Sequence, residues 1–263
     1  MNARSVSANA QELDARVIEP HLTRHPYPLL FVTVSGAHLY GFASANSDYD
    51  LRGCHITPVQ DLVRLSPPSE THEVMDRSGP IEVDLVTHDV RKFFSLLLKN
   101  NGYVLEQVAS PLVVQSTPEF EELRALIPRF ITRNHRYHFL RFGQNQWEMV
   151  VKGGKPTVKG LLYTYRVLLA GIHLMRTGMI ESNLQTLNVE FRLSHIDDLI
   201  ARKVAGSESD PLHADLHWHE AEFNRLCTEL DAARDASQLP DEPTCQKEMD
   251  DLLVRVRLKH VHA

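Results

Sequence analysis

The 263-residue chain has few cysteines, no long apolar run and no excess of positive charge. Its three cysteines form no C-x-x-C pair, which argues against a disulfide framework and favours a reducing compartment. No apolar run approaches the roughly 18 residues of a membrane-spanning helix. No apolar segment typical of a signal peptide is visible near Met1. These absences predict a cytoplasmic protein with no membrane partner, and they leave the oligomeric state open.

The charge balance and the histidines argue against two further classes of site. A formal net charge of −6 gives no global signature for nucleic acid, so a site for a polyanion has to be a local patch. His213, His217 and His219 lie close together, but no cysteine or carboxylate completes a recognised zinc spacing. A solvated helical face is the favoured interpretation of these histidines.

The apolar pattern predicts an α+β fold, with a small mixed β-sheet among helices followed by an all-helical region. Strands are expected at 29–34, 49–57 and 81–87, with a loop or hairpin at 60–80 and a short edge strand near 111–114. Helices are expected at 9–25, 89–98, 118–127, 131–150, 156–177, 195–205, 213–236 and 244–259. We therefore predict two domains, 1–128 and 129–263.

One stretch between the first two predicted strands carries a candidate metal site. It reads V-S-G-A-H-L-Y-G-F-A-S-A-N-S-D-Y-D-L-R-G, with a small-residue turn at Gly36 and acids at Asp48 and Asp50. Two acids on alternate positions of an extended segment point to the same side and can hold Mg²⁺ together with substrate phosphates. The simpler interpretation is a solvated S-D-Y-D turn. The glycine turn and the flanking strands favour the metal site.

A third acid, Asp84, lies in the next predicted strand, which is otherwise apolar. A carboxylate is costly to bury unless it is paired or bound to a metal. Asp84 could therefore complete the metal site and accept a proton from an attacking hydroxyl. Glu82 shares its strand face by parity and is the rival, whereas Asp89 is better explained as a helix cap.

A downstream helix carries polar side chains on one face. Lys159, Tyr163 and Arg166 recur at i, i+4 and i+7, so they share a stripe of the predicted helix. Lysine and arginine suit a triphosphate, and tyrosine can stack on a base. The alternative is a solvated basic face with a packed tyrosine.

The segment from Arg129 to Arg166 is the most basic part of the chain. It contains Arg129, Arg133, Arg136, Arg141, Lys152, Lys155, Lys159 and Arg166, with Glu148 as its acid, which sums to 8 − 1 = +7. Such a segment could line a cleft for an NTP or an RNA backbone. The alternative is that its arginines pair with acids from 119–122 and from the C-terminal helices.

These motifs resemble the polymerase-β-type nucleotidyltransferase superfamily, and within it the nucleotidyltransferases associated with RNA ligases in RNA repair. The resemblance is carried by S-G-A-H-L-Y-G-F-A-S-A-N-S-D-Y-D-L-R-G and by V-D-L-V-T-H-D-V-R-K-F-F-S-L-L-L-K-N-N-G-Y-V-L-E-Q-V-A-S-P. It continues more weakly at K-G-L-L-Y-T-Y-R-V-L-L-A-G and L-I-A-R-K-V-A-G-S-E. It implies a palm-like catalytic domain over 1–128 and a helical domain over 129–263 that contributes to binding of the NTP and the acceptor.

By this resemblance Asp48, Asp50 and Asp84 would be the catalytic and metal-binding residues, with two Mg²⁺ ions, or Mn²⁺ as an alternative. The nucleotide would contact Ser35, Gly36, Ala37, Arg52, Lys159, Tyr163 and Arg166. Arg52 could instead hold Asp48 or Asp50 in place. Ala37 departs from the superfamily, which usually has Gly-Ser or Gly-Gly at this turn. A lost hydroxyl contact would cost about 1 kcal/mol of nucleotide binding.

The implied activity is transfer of NMP from an NTP, with ATP or CTP as donor, to a hydroxyl acceptor, with release of pyrophosphate. The acceptor favoured by the resemblance is an RNA 3′ end. Two alternatives stay open. One is nucleotidylation of a protein or a small molecule. The other is a degenerate module that binds a nucleotide or RNA without catalysis, and Ala37 is the residue that favours it.

Overall fold

The computed structural model describes residues 13–152, 156–206 and 216–260. Over these ranges the chain forms a five-stranded mixed sheet in its N-terminal half, with strand order β3-β4-β2-β1-β5. The strands are β1 (Leu29–Val34), β2 (Tyr49–His55), β3 (Thr71–Asp76), β4 (Val83–Asp89) and β5 (Val113–Ser116). Strands β2 and β4 pair in parallel, and the other neighbouring strands pair antiparallel. The predicted fold class is confirmed.

Seven helices of the described chain accompany the sheet: α1 (Ala15–Thr23), α2 (Gly36–Tyr40), α3 (Val59–Leu62), α4 (Val90–Leu98), α5 (Gly102–Ala109), α6 (Pro118–Ala125) and α7 (Ile127–Phe130). The C-terminal half, where described, is helical: α8 (His135–Lys152), α9 (Val158–Thr177), α10 (Leu184–Phe191), α11 (Ser194–Ala205), α12 (Leu216–Ala236) and α13 (Gln246–Lys259). Within these ranges no helix combines the length and the apolarity needed to cross a membrane.

Strand β1 is buried along its whole length because both faces of the sheet are covered. On one side a small apolar cluster joins Ile18 of α1 to Leu51 and Leu85 of the central strands. On the other side Phe31 belongs to a large cluster that extends through α4, α5 and α6 to the long helix α9. The continuous apolar run at 29–34 predicted this doubly covered strand.

Local sequence explains where most elements begin and end. Asp89 caps α4 by accepting a hydrogen bond from Arg91 N at 3.0 Å, as predicted. Asn101 caps α5 by accepting hydrogen bonds from Tyr103 N and Val104 N. The segment predicted as a turn after β1 contains the short helix α2, and α10 was not predicted. Both are too short to show a clear helical period.

The last helix returns to the sheet. The Nη1 group of Arg257 on α13 donates to the carbonyl oxygen of Thr57 at 2.6 Å, and its Nη2 group donates to the Asp89 carboxylate. Asp89 also accepts from Thr57 N at 3.2 Å. A buried carboxylate at the end of β4 is thus satisfied by a residue 168 positions later in the chain. The predicted boundary between residues 128 and 129 falls inside α7, and the two-domain division stays a prediction.

Candidate active site

Two of the predicted metal-binding aspartates stand side by side on the sheet. Strands β2 and β4 are parallel, and their register places Asp50 opposite Asp84. Their side chains keep 21% and 23% of their surface exposed. Residues alternate between the faces of a strand, so these carboxylates lie on the face opposite Leu51 and Leu85, which pack in the small cluster with α1.

Arg52 lies between the two carboxylates and binds both. Its Nη2 donates to Asp50 Oδ1 at 2.8 Å and to Asp84 Oδ2 at 2.7 Å. Its Nη1 donates to the carbonyl oxygens of Leu51 and Asp84, and its Nε donates to the Tyr103 hydroxyl at 2.7 Å. These acceptors use every N–H group of the guanidinium. Arg52 therefore holds Asp50 in place, which is the alternative role stated from the sequence, and its assignment to nucleotide binding stays a prediction.

The electrostatics of this trio favour a permanent positive charge between two acids. Burial raises the pKa of Asp50, Arg52 lowers it, and the neighbouring Asp48 and Asp84 raise it further. Burial acts to lower the pKa of Arg52, but Tyr103, Asp50 and Asp84 bring it above its usual value. The guanidinium is thus the counter-ion that allows two half-buried carboxylates to share one sheet face.

The turn after β1 closes over Asp50. Gly36 has a φ of +61°, a left-handed conformation that favours glycine. A Cβ atom on Gly36 would lie 1.9 Å from Asp50 Oδ2, so the carboxylate occupies the space beside the glycine. The backbone N–H of Ser35 donates to the Asp50 carbonyl oxygen at 2.8 Å. The turn and the acid therefore form one unit.

The side chains on either side of Gly36 are buried. Ser35 and Ala37 are 2% and 3% exposed, and Ala37 belongs to the large apolar cluster. Their predicted role in nucleotide binding is limited here to their backbone, because their side chains are buried. The departure at position 37 also gains a physical reason, since a methyl group packs in this core without a buried hydroxyl to satisfy.

The donor set fits a divalent cation through two acids. Each carboxylate gives one oxygen to Arg52, which leaves Asp50 Oδ2 and Asp84 Oδ1 outside that contact. Mg²⁺ is commonly bound by one or two carboxylates together with substrate phosphates. Within the described ranges no group of three His, Cys, Asp or Glu side chains is arranged to hold a metal ion. Asp48 lies in the loop before β2, close enough to raise the pKa of Asp50. It is not arranged with Asp50 and Asp84 as a three-carboxylate metal site.

The candidate zinc histidines also form no metal site within the described chain. His213 lies outside the described residues. His219 is buried, and its Nδ1 lies 2.7 Å from the Tyr165 hydroxyl. This histidine therefore packs between helices, which corrects the expectation of a fully solvated face.

An aromatic cavity of about 300 Å³ opens beside Asp50. It is lined by Gly36, Tyr40, Asp50, Tyr103, Phe142 and Tyr163. Its volume lies at the lower end of the range for small-molecule sites. The structure therefore brings Tyr163 of α9 to the same cavity as Asp50. Lys159, one turn earlier, is close enough to lower the pKa of Asp50.

Arg166 is buried, whereas Tyr163 lines the cavity. The prediction that Arg166 contacts a triphosphate is therefore corrected. Its side chain is 2% exposed and paired with the buried Glu106 of α5. Its guanidinium carbon lies 3.9 Å from the centre of the Tyr40 ring. Helix α9 packs deeply enough that the end of the predicted polar stripe is inside the protein. Arg166 supports the tyrosine that lines the cavity instead of reaching a ligand.

The basic segment is largely neutralised by distant acids. Arg129 pairs with Glu248 at 2.6 Å, Arg133 pairs with Asp241, and Arg136 pairs with Asp231. Lys152 pairs with Glu148 on its own helix, and Lys155 lies outside the described residues. The alternative stated from the sequence, pairing with acids of the C-terminal region, describes these three arginines. They do not form an open basic cleft.

Sequence reasoning missed the three aromatic residues Tyr40, Tyr103 and Phe142 that line the cavity. Aromatic side chains in apolar helices are indistinguishable from core residues by pattern alone. One signal was available, because Glu106 lies in a mainly apolar helix. The reasoning that singled out Asp84 also predicts a buried partner for Glu106.

Comparison with known proteins identifies the family. The model of the RNA repair pathway DNA polymerase beta family matches residues 10–255. The resemblance inferred from the sequence is thereby confirmed. The uncharacterized protein MJ0002 of Methanocaldococcus jannaschii is 26% identical over 221 residues, which cover 82% of this chain and 88% of that protein. The uncharacterized protein YcgL of Bacillus subtilis is 24% identical over 195 residues, which cover 69% of this chain and 72% of that protein.

A solved structure also shows similarity. The crystal structure of a nucleotidyltransferase-like protein from Exiguobacterium sibiricum 255-15 aligns with a TM-score of 0.34 and 13% sequence identity. The alignment covers 84% of this chain and 73% of that one.

Proposed function

This chain belongs to the RNA repair pathway DNA polymerase beta family, and we propose from that membership that it is a metal-dependent nucleotidyltransferase. It would move NMP from an NTP to a hydroxyl acceptor and release pyrophosphate. The observation that carries the proposal is the contact of Gly36 with Asp50, beside Asp84 and at the edge of an aromatic cavity. A turn whose backbone can approach phosphates, next to paired acids that can hold a divalent cation, suits a bound NTP.

The acids would hold the cation and handle the proton. A bound Mg²⁺, or Mn²⁺ in its place, supplies Lewis-acid stabilisation to a transferring phosphoryl group, and the family resemblance suggests two such ions. Asp50 and Asp84 would contribute the carboxylate oxygens that Arg52 does not use. Asp48 would join them from the loop before β2. Asp84 would accept the proton of the attacking hydroxyl.

The nucleotide would lie between the turn and α9. The aromatic cavity offers Tyr163 and its neighbours as stacking surfaces for the base. Lys159 is close enough to lower the pKa of Asp50 and would approach the triphosphate. The backbone at Gly36 would contact phosphate oxygens, since the glycine borders the cavity. The donor we favour is ATP or CTP.

The acceptor we favour is an RNA 3′ end. We place the protein in the cytoplasm. The family description, which names RNA repair, supports this acceptor. The basic segment no longer does, because Arg129, Arg133 and Arg136 are engaged by acids. Because these arginines are paired, we keep a second class of acceptor, a protein side chain or a small molecule. A degenerate binding module is the third candidate, since Asp48 is not preassembled with the other acids.

Label transfer tests the proposal. Purified protein is incubated with Mg²⁺ and each α-³²P-labelled NTP, together with total RNA or with a protein extract. Label on RNA supports the favoured acceptor, and label on protein supports the second class. Asp50→Asn should abolish transfer, whereas Glu82→Gln, which alters an acid paired with Arg77 at the surface, should keep it. NTP binding without transfer in the wild type would support the degenerate module instead.

A further inference from the structure

A lysine from the C-terminal half reaches the loop that carries Asp48. Lys203 of α11 is 1% exposed, although lysine is rarely buried without partners. Its Nζ donates to Ser47 Oγ at 3.1 Å and to Ser44 Oγ at 3.3 Å. These serines are 156 and 159 positions away in the sequence, and Ser47 directly precedes Asp48. A buried ammonium group is thus bonded to the residue that precedes Asp48.

The loop that receives Lys203 is closed on itself. Ser47 N donates to the Ser44 carbonyl oxygen at 3.0 Å, and Ser44 N donates to Ser47 Oγ at 2.9 Å. The two hydroxyl oxygens lie 3.1 Å apart. Because Ser47 is 3% exposed, its hydroxyl has to be satisfied within the protein. Lys203 therefore fixes a compact turn at the side chain next to Asp48.

A second attachment holds the start of the same loop. The side-chain amide of Gln185 on α10 donates to the Gly41 carbonyl oxygen. Gly41 has a φ of +82°, and a Cβ atom there would lie 2.4 Å from Asn183 Oδ1. The helices α10 and α11 thus contact the loop at both ends, through Gly41 and through Ser47.

We propose that Lys203 is a positioning residue for Asp48, and that α10 and α11 form a clamp on the loop from Gly41 to Asp48. The ammonium fixes Ser47, and through the chain it fixes the direction from which Asp48 approaches Asp50. Burial lowers the pKa of His38, and the nearby charges of Asp48 and Lys203 raise and lower it respectively, which places all three residues in one neighbourhood. The catalytic consequence of the clamp rests on the proposed function; the clamp itself does not.

Hydrogen exchange tests the clamp directly. Lys203→Met keeps the apolar stem and removes the ammonium, and Arg202→Met is the matched control at the exposed neighbouring position. We expect amides of residues 44–48 to exchange about tenfold faster or more in Lys203→Met, with α9 unchanged. Equal exchange in both variants would overturn the proposal. If Lys203→Met does not fold, Ser47→Ala removes the acceptor and is read in the same way.

Kinetics test the consequence for the site. We expect Lys203→Met to lower kcat by about 100-fold while KM for the NTP changes by less than about threefold. A raised Mg²⁺ concentration should restore part of kcat, because a displaced acid weakens the metal site; Lys203→Arg should recover part of it too. Loss of kcat that Mg²⁺ does not relieve would contradict positioning. If the wild type transfers no nucleotide, the proposed function fails, and exchange alone decides the clamp.

Discussion

The Oδ2 atom of Asp50 occupies the place where a side chain on Gly36 would begin. The turn that would contact phosphate and the acid that would hold a cation are therefore in direct van der Waals contact. Gly36 contributes by having no side chain, and its left-handed backbone is one that other residues adopt only with strain.

Gly36→Ala should remove nucleotide transfer. A left-handed conformation costs an L-residue about 1–2 kcal/mol of stability, and the added methyl would displace the Asp50 carboxylate. We expect kcat to fall by about 100-fold or more. Urea unfolding of the same variant measures the loss of stability. Gly79→Ala is the matched control, because the nearest atom to its Cβ position lies 3.6 Å away. Wild-type kcat in Gly36→Ala would show that this contact does not place Asp50.

Arg52→Gln should make stability depend on divalent cations. Without the guanidinium, Asp50 and Asp84 would face each other half-buried and uncompensated. Removing one partner of a buried pair costs about 3–5 kcal/mol, and partial exposure reduces this to about 2 kcal/mol here. We expect Tm to fall by about 4–8 °C.

Added Mg²⁺ should then raise Tm more in Arg52→Gln than in the wild type, because the cation replaces the missing positive charge between the carboxylates. Arg64→Gln, which alters a surface pair with Asp61, controls for the loss of an arginine. An equal response to Mg²⁺ in Arg52→Gln and the wild type would argue against a cation site between Asp50 and Asp84.

Tyr163→Ala should weaken nucleotide binding without removing the acids. Stacking of a base on an aromatic side chain is worth about 1–3 kcal/mol, so Kd for a non-hydrolysable NTP should rise about tenfold or more. Tyr163→Phe should keep most of the affinity. Tyr137→Ala, at a tyrosine on α8 that is 55% exposed, is the control. Unchanged Kd in Tyr163→Ala would place the base outside the cavity.

Two buried histidines should make the fold sensitive to acid. Burial lowers the pKa of His55 to about 3 and the pKa of His135 to about 4, from an ordinary value of about 6.5. Between these values the unfolded chain binds protons that the folded chain excludes, so the free energy of unfolding decreases as pH falls. At pH 5 each histidine should cost about 2 kcal/mol relative to pH 7.

Urea unfolding at pH 7 and pH 5 measures this difference. His55→Gln should reduce it by the share of His55. A pH dependence that is the same in His55→Gln and the wild type would show that His55 is not held neutral by the fold.

The sheet and its acids were predictable because their signals are local. The run from Leu29 to Val34 has the composition of a strand buried on both faces, and Asp84 is conspicuous in an apolar strand. Parity along a strand also determines which residues share a face, although the register of Asp50 with Asp84 depends on pairing between strands.

Which residues of a helical stripe are buried by a distant partner was not predictable. Helical spacing places Lys159, Tyr163 and Arg166 on one stripe, but it does not say where along that stripe the protein surface ends. Glu106, the partner that draws Arg166 inside, is 60 positions away. Lys203 does follow the buried positions 196, 199 and 200 of α11 at helical spacing, so the local pattern indicates its burial. The spacing does not say which residues accept its hydrogen bonds, since the two serines lie 156 and 159 positions away.

The return of α13 to the sheet has a consequence for protein synthesis. Asp89 leaves the ribosome 168 residues before Arg257, which corresponds to roughly 10 to 30 s at typical translation rates of about 5–20 residues per second. During that interval the nascent sheet has a carboxylate without its guanidinium partner. Chaperones and proteases would therefore encounter a chain whose N-terminal sheet gains its last ion pair only after α13 has been synthesised.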